Sequence, residues 1–204
     1  MQVKNVLTLL FCISSILAKA QIKKGSFLVG GSMGYGSQNI NNPGSPENSS
    51  SNVNFNPRVS YAVTDNSTLG LKASLYYTSS SASSITSTSL HSGGSLFYRI
   101  FFPIKNKLGW YTEALIGIGK SVFKNKSQVP ALESRGSYYT LSAIPGLYYQ
   151  ALPKLLINAD FGGLYYTHNK YRNSIGNQTG RSDSFGIGLF SGFTIGIDFI
   201  IGKP

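Results

Sequence analysis

The sequence predicts an all-β fold: an eight-stranded antiparallel up-and-down transmembrane β-barrel preceded by a signal peptide. Three observations carry this expectation. Period-two alternation of apolar and polar residues recurs in segments of about ten residues, the length of a membrane-crossing strand. The connections between these segments alternate between tight turns and long polar stretches. One face of the segments is apolar while the opposite face is polar or glycine, a pattern suited to lipid outside and a packed interior within. Composition points the same way, because Gly, Ser, Asn and Tyr are abundant and favour turns and strands over helices. At 204 residues the chain suits one such domain.

The N-terminus is the first element. Lys4 precedes a short apolar run, Val6–Ala18, and Ala18-Lys19-Ala20 before Gln21 has the small-x-small form of a signal-peptidase site. The run is shorter than the roughly 20 residues of a membrane-spanning helix. Residues 1–20 are therefore expected to be a cleaved signal peptide and 21–204 the barrel domain. Cys12 leaves with the peptide, so the mature chain holds no thiol and forms no disulfide. Losing Lys4 and Lys19 lowers the net charge from +11 to +9.

Strands are expected near 26–36, 53–63, 68–78, 93–102, 108–119, 137–150, 154–167 and 184–201. Short turns fall at Thr64–Ser67, Pro103–Lys107 and Ala151–Pro153, and long loops at 37–52, 79–92, 120–136 and 168–183. An even strand count with short turns at one end puts both mature termini on the turn side, the periplasm of a Gram-negative cell. The lipid-facing set includes Phe27, Val29, Met33 and Tyr35 in the first strand, and Val53, Phe55, Val59, Tyr61 and Val63 in the second. Leu69, Leu71, Leu75 and Tyr77 continue it, followed in the fifth strand by Leu108, Trp110, Ile116 and Ile118. The seventh strand offers Leu155, Ile157, Phe161 and Tyr165, and the eighth Phe185, Ile187, Leu189, Phe193, Ile195, Ile197, Phe199 and Ile201. In the fourth strand the even residues Leu96, Tyr98, Ile100 and Phe102 face lipid, which turns Phe97, Arg99 and Phe101 inward.

The same parity aims Arg58, Lys72, Arg99, Glu113, Asp160 and Asp198 into the interior, three of each sign. An eight-stranded barrel is just wide enough for side chains to fill. Buried charges persist when paired, so the balanced set is expected to form a structural lumen network. Arg99 and Glu113 should lie opposite each other across the tight turn near Lys105–Asn106. Inward glycines make room for large neighbours.

Aromatic residues sort to the strand ends. Tyr61, Phe102, Trp110, Tyr149 and Phe199 lie beside the short turns, and Tyr35, Phe55, Tyr77, Tyr139 and Tyr165 beside the long loops. Two girdles at the two membrane interfaces are expected. The long-loop side carries Lys120, Lys124, Lys126, Arg135, Lys170, Arg172 and Arg181 against Glu47, Glu133 and Asp183, a surplus of four positive charges. These are candidate contacts for anions such as the phosphates of lipopolysaccharide.

Other chemistry is weakly represented. Lys and Arg are scattered through a chain with only 12% charged residues, unlike a nucleic-acid-binding face. The two histidines, His91 and His168, sit in expected loops; His168 with Ser174 and Asp183 is the nearest approach to a catalytic set, and no enzyme activity is expected. No metal-ligand spacing is present, no helix follows Gly30-Gly31 to make a phosphate loop, and no cofactor is expected.

The segment Phe55-Asn-Pro-Arg-Val-Ser-Tyr-Ala-Val-Thr-Asp-Asn-Ser-Thr-Leu-Gly-Leu resembles a hairpin of the outer membrane protein β-barrel domain family, small eight-stranded bacterial outer-membrane barrels. Phe97-Tyr-Arg-Ile-Phe-Phe-Pro followed by Leu108-Gly-Trp-Tyr-Thr-Glu-Ala is similar to the family's central hairpin, and Pro145 to Tyr149 repeats the spacing of Pro57 to Tyr61. The end, Phe199-Ile-Ile-Gly-Lys-Pro, departs from the family in lacking a terminal aromatic residue. The resemblance implies an outer-membrane barrel without implying one shared activity. The expected function is a closed, monomeric barrel with a structural or surface-interaction role through its basic loops, its partners being outer-membrane lipid and lipopolysaccharide. A small-solute channel or carrier is the second expectation and a soluble periplasmic lipocalin-like binder the third.

Overall fold

The computed structural model describes residues 22–40, 48–82, 85–125, 132–173 and 179–202, without the side chains of Ile40, Asn48, Leu132, Asn173 and 189–193. The expected signal peptide, Lys126, Ser174 and Glu47 lie outside the described residues, as do the side chains of Leu189 and Phe193.

Eight strands run in chain order: β1 (Phe27–Ile40), β2 (Asn48–Thr64), β3 (Ser67–Ala82), β4 (Ile85–Lys105), β5 (Leu108–Asn125), β6 (Leu132–Leu152), β7 (Leu155–Asn173) and β8 (Thr179–Ile201). Each pairs antiparallel with the next, and β1 pairs with β8 to close the barrel. Tight turns at Asp65-Asn66, Asn106-Lys107 and Pro153-Lys154 join three of the hairpins.

The strands are longer than expected. Most of the four predicted long loops is strand, since β1 and β2 pair from Phe27–Tyr61 out to Ile40–Asn48, and β3 and β4 out to Ala82–Ile85. The reason is that alternation marks a strand only while one face touches lipid. Beyond the bilayer both faces are wet, and runs such as Ser79-Ser80-Ser81 paired with Thr86-Ser87-Thr88 satisfy the ladder with polar residues on both sides. Lys120, Lys124, Arg135, Lys170, Arg172 and Arg181, and both histidines, consequently sit on strands rather than on loops.

The outer wall is aliphatic. Leu71, Ile118 and Ile187 expose 61%, 62% and 65% of their surfaces, the inverse of a soluble lipocalin-like binder, and that reading is overturned. In β4 the even residues Leu96 and Tyr98 face out while Phe97, Arg99 and Phe101 are buried.

β7 breaks the simple alternation. An irregularity between Asp160 and Gly162, with Gly162 at a φ of 80°, shifts its register against β8. Beyond it the outward residues are Leu164 and Tyr166, paired with Ala143 and Leu141. Tyr165, expected in the outer girdle, instead pairs with Ser142 and Gly186 on the inward parity. A β-bulge adds a residue to one strand and reverses which side chains point where. Tyr166 takes the outward place.

Besides the inward Phe97 and Phe101 that the parity of β4 predicts, the interior holds more apolar residues than the polar-or-glycine pattern of the other strands suggests. At the turn end Ile22, Leu28, Ala62, Phe101, Tyr111, Tyr148, Leu156 and Ile200 form a buried apolar layer. The segment before β1 is tied into this mouth: the Gly25 amide donates to the Ala62 carbonyl at 2.9 Å and the Ala62 amide to the Ser26 carbonyl at 2.8 Å.

Candidate functional site

Above the apolar layer lies a cluster of ions. The tight turn at Asn106-Lys107 sets the β4–β5 register that places Arg99 directly opposite Glu113. Arg99 Nε donates to Glu113 Oε2 at 2.9 Å, and Lys72 from β3 donates to the other carboxylate oxygen. Arg58 of β2 binds Asp198 of β8 with two parallel bonds, Nε to Oδ1 at 2.7 Å and Nη2 to Oδ2 at 2.9 Å. Such a fork-to-carboxylate pair is stronger and more directional than a single contact.

The two pairs are joined. Arg99 Nη1 reaches Asp198 Oδ2 and Asn158 Oδ1, both at 3.4 Å, and Asn158 Nδ2 donates to Asp198 Oδ2 at 2.8 Å. Five of the six expected lumen residues thus form one chain, Lys72–Glu113–Arg99–Asp198–Arg58. Asp160 makes no ion pair among the described residues; it accepts a hydrogen bond from the Tyr111 hydroxyl instead. The Arg99 guanidinium lies 4.3 Å from the centroid of the Tyr111 ring, a distance suited to cation–π attraction. Phe101 packs edge-on against Tyr148, with ring centroids 5.2 Å apart, and closes the layer below.

Glycines form the floor under these side chains. A Cβ at Gly70 would fall 2.7 Å from Phe97 Cζ, and one at Gly146 would fall 2.3 Å from Tyr111 Cζ. Alternation put Asn158 on the inward face beside Asp160, but it did not single out Tyr111 or Tyr148 as members of the packed interior. A usable signal existed for Tyr111, which is two residues from Glu113 on one strand and must share its face.

The aromatic residues of the turn end, Tyr61, Phe102, Trp110, Tyr149 and Phe199, are at the outer wall. Phe102 and Trp110 stack with centroids 4.1 Å apart. Tyr35, Phe55, Tyr77 and Tyr139 are exposed near the other end.

Beyond that outer row, the wall of β5–β8 carries the basic residues. Lys120 pairs in register with Ser137, Ser137 with Lys170, and Lys170 with Arg181. One step further out, Val122 pairs with Arg135 and Arg135 with Arg172. Glu133 is held by Arg135 Nε at 2.6 Å and by Lys124 Nζ at 3.5 Å. The hydrogen bond from Arg135 keeps the Glu133 carboxyl below the usual glutamate range. His168 Nδ1 lies 2.7 Å from Asp183 Oδ1, which also accepts from the Tyr166 hydroxyl at 2.8 Å. His91 faces inward on β4, its Nε2 at 2.9 Å from Ser89 Oγ.

A family model described as outer membrane protein beta-barrel domain matches residues 6–193. Among solved structures, the translocator domain of autotransporter NalP from Neisseria meningitidis is 14% identical at a TM-score of 0.46. That match covers 98% of this chain and 68% of the other. Neisserial surface protein A (NspA) is 17% identical at a TM-score of 0.40, over 86% of this chain and 99% of the other. No curated protein matches the sequence.

Proposed function

The chain belongs to the outer membrane protein beta-barrel domain family, and we propose that this outer-membrane barrel is a closed structural and surface-interaction protein. The single observation that carries the reading is the Lys72–Glu113–Arg99–Asp198–Arg58 chain, in which Arg99, Glu113 and Asp198 are each only 1% exposed. Side chains from β2, β3, β4, β5 and β8 meet there across the lumen, with Asn158 of β7 beside them. Below them Phe101, Tyr111 and Tyr148 stop the bore a second time. Opening a solute path would strand buried ions without partners, which costs several kcal/mol. With the bore shut, what the molecule offers to partners is its outer surface.

A planar-bilayer recording of the purified barrel tests this. The closed reading expects no sustained single-channel steps, and expects them to appear once Arg99, Phe101 and Tyr111 are all replaced with alanine. Steady currents from the unaltered protein would instead favour a small-solute channel or carrier.

A further inference from the structure

The charges of the outward extensions are one-sided. In the described outer parts of β1–β4, residues 33–40, 48–56, 74–82 and 85–94, there is no Lys, Arg, Asp or Glu. The matching wall of β5–β8 carries six basic residues and two acids, Glu133 and Asp183.

Register makes this wall more telling than its net charge. Successive outward rows read from lipid to water as Ile116, Leu141, Tyr166 and Phe185; then Ile118, Tyr139, His168 and Asp183; then Lys120, Ser137, Lys170 and Arg181. Outward rows are about 7 Å apart along a strand and neighbouring strands about 5 Å apart. On β5 and β6 the first basic row sits immediately above Ile118 and Tyr139. On β7 and β8 it sits above His168 and Asp183, the latter engaged by His168 and Tyr166, with Tyr166 and Phe185 one row lower. This is the height where bilayer headgroups begin.

Within it, like charges face each other. Lys170 is directly opposite Arg181, and one row further out Arg135 is directly opposite Arg172. Directly opposed like charges destabilise a sheet. Lys120, Lys170 and Arg181 make no ion pair among the described residues. Arg135 is already held by Glu133, so the opposed pair that has no ion-pair partner among the described residues is Lys170–Arg181, and the anion that reaches that height from the side is a headgroup phosphate.

We propose that the outer wall of β5–β8, centred on Lys120, Lys170 and Arg181, is a lateral binding site for a phosphorylated lipid of the outer leaflet, of the sugar-phosphate lipid A class. Acyl chains lie against Ile116, Ile118, Leu141 and Ile187 while the phosphates bridge Lys170 and Arg181 and reach Lys120. Ser137, between Lys120 and Lys170, adds a neutral donor. The site deepens the surface-interaction reading given above and rests on it. The two fail separately, since a conducting barrel could still hold the lipid and a closed one could lack it.

The test uses the full mature chain in a neutral detergent, titrated with bisphosphorylated lipid A and with the same lipid after phosphate removal, read by native mass spectrometry. The expected result is retention of the phosphorylated lipid only. The triple variant K120S/K170S/R181S should bind about a hundredfold more weakly, each basic side chain near a charged lipid surface contributing about fivefold. The charge-matched variant K105S/K107S/K154S, altered at the turn end, should bind like the parent.

Equal binding of the dephosphorylated lipid, or undiminished binding by K120S/K170S/R181S, would overturn the site. Displacement of the lipid by stoichiometric inorganic phosphate would overturn it as a lipid site and assign it to a soluble anion. Removing one member of a like-charge pair relieves repulsion, so K170S alone should fold with an unfolding midpoint no lower than the parent in lipid-free detergent. It provides the binding measurement if the triple variant does not fold.

Discussion

Replacing Glu113 with alanine removes the acceptor shared by two cations. Arg99 loses its 2.9 Å contact and Lys72 loses its carboxylate partner. Arg99 cannot turn to water, because it is enclosed by Phe97, Phe101 and Tyr111, with its guanidinium 4.3 Å from the Tyr111 ring. Its remaining acceptors, Asp198 and Asn158, both lie at 3.4 Å, and Asp198 is already engaged by Arg58. Breaking a buried pair by deleting one partner costs about 3–5 kcal/mol. The residual contacts to Asp198 place the expected loss near the lower end, about 3 kcal/mol. With a urea slope of about 2 kcal/mol/M, the unfolding midpoint in detergent should fall by about 1.5 M. The heat-modifiable band of the folded barrel should vanish at a correspondingly lower temperature. Adding Arg99→Met to Glu113→Ala should recover part of that loss, since the stranded charge is then gone and paired sites do not add. An unchanged midpoint in Glu113→Ala would refute the reasoning, because it would mean that Arg99 does not depend on the carboxylate.

Three further outcomes follow from particular positions. Gly70→Val drives a side chain into Phe97 and Ser60 and should destabilise by about 1–3 kcal/mol, whereas Gly94→Val, whose nearest atom lies 4.0 Å from the new Cβ, should be tolerated in the same unfolding assay. With Trp110 replaced by Phe, a tryptophan at Tyr166 should be quenched by lipids brominated on the acyl chain, and one at Tyr165 should not. Equal quenching would contradict the register beyond Gly162. The Glu133 carboxyl, outside the spanning segments, should titrate below an ordinary glutamate, and Arg135→Ala should raise it. Because its pKa is depressed, the contact with Arg135 is fully present above the ordinary glutamate range and is lost as pH falls through the lowered value. Carbon-detected NMR of the carboxylate reads this directly.

The legible parts of the molecule are those where lipid or a short turn imposes a rule. Strand number and wall sidedness follow from the aliphatic alternation of residues such as Leu69, Leu71 and Leu75. Arg99 opposite Glu113 follows from a turn that leaves few registers open. Arg58 with Asp198 is different in kind: 140 residues separate them, and their meeting requires the sheet to close, which no local pattern encodes. The outward extensions carry no such rule, because water places no demand on either face. Tyr165 and Tyr166 are equivalent in sequence, and only the extra residue at the bulge decides which of them faces outward. The like-charge pairs on β5–β8 needed the exact ladder, since basic residues spread over four extensions read as scatter until register lines them up.

The junction that completes the cylinder has an unusual fastening. The β1–β8 ladder runs only from Phe27–Ile201 to Ser32–Gly196, shorter than every other hairpin in the ring. Gly30 lies there between Arg58 on one side and Asp198 on the other, and a Cβ on it would stand 2.5 Å from Asp198 Oδ1. The second strand therefore reaches over the first to clasp the last, like a buckle passing across a bare loop of strap. The end of β8 is thus held by its ladders to β1 and β7 and, through Asp198, by a strand it does not touch through its backbone.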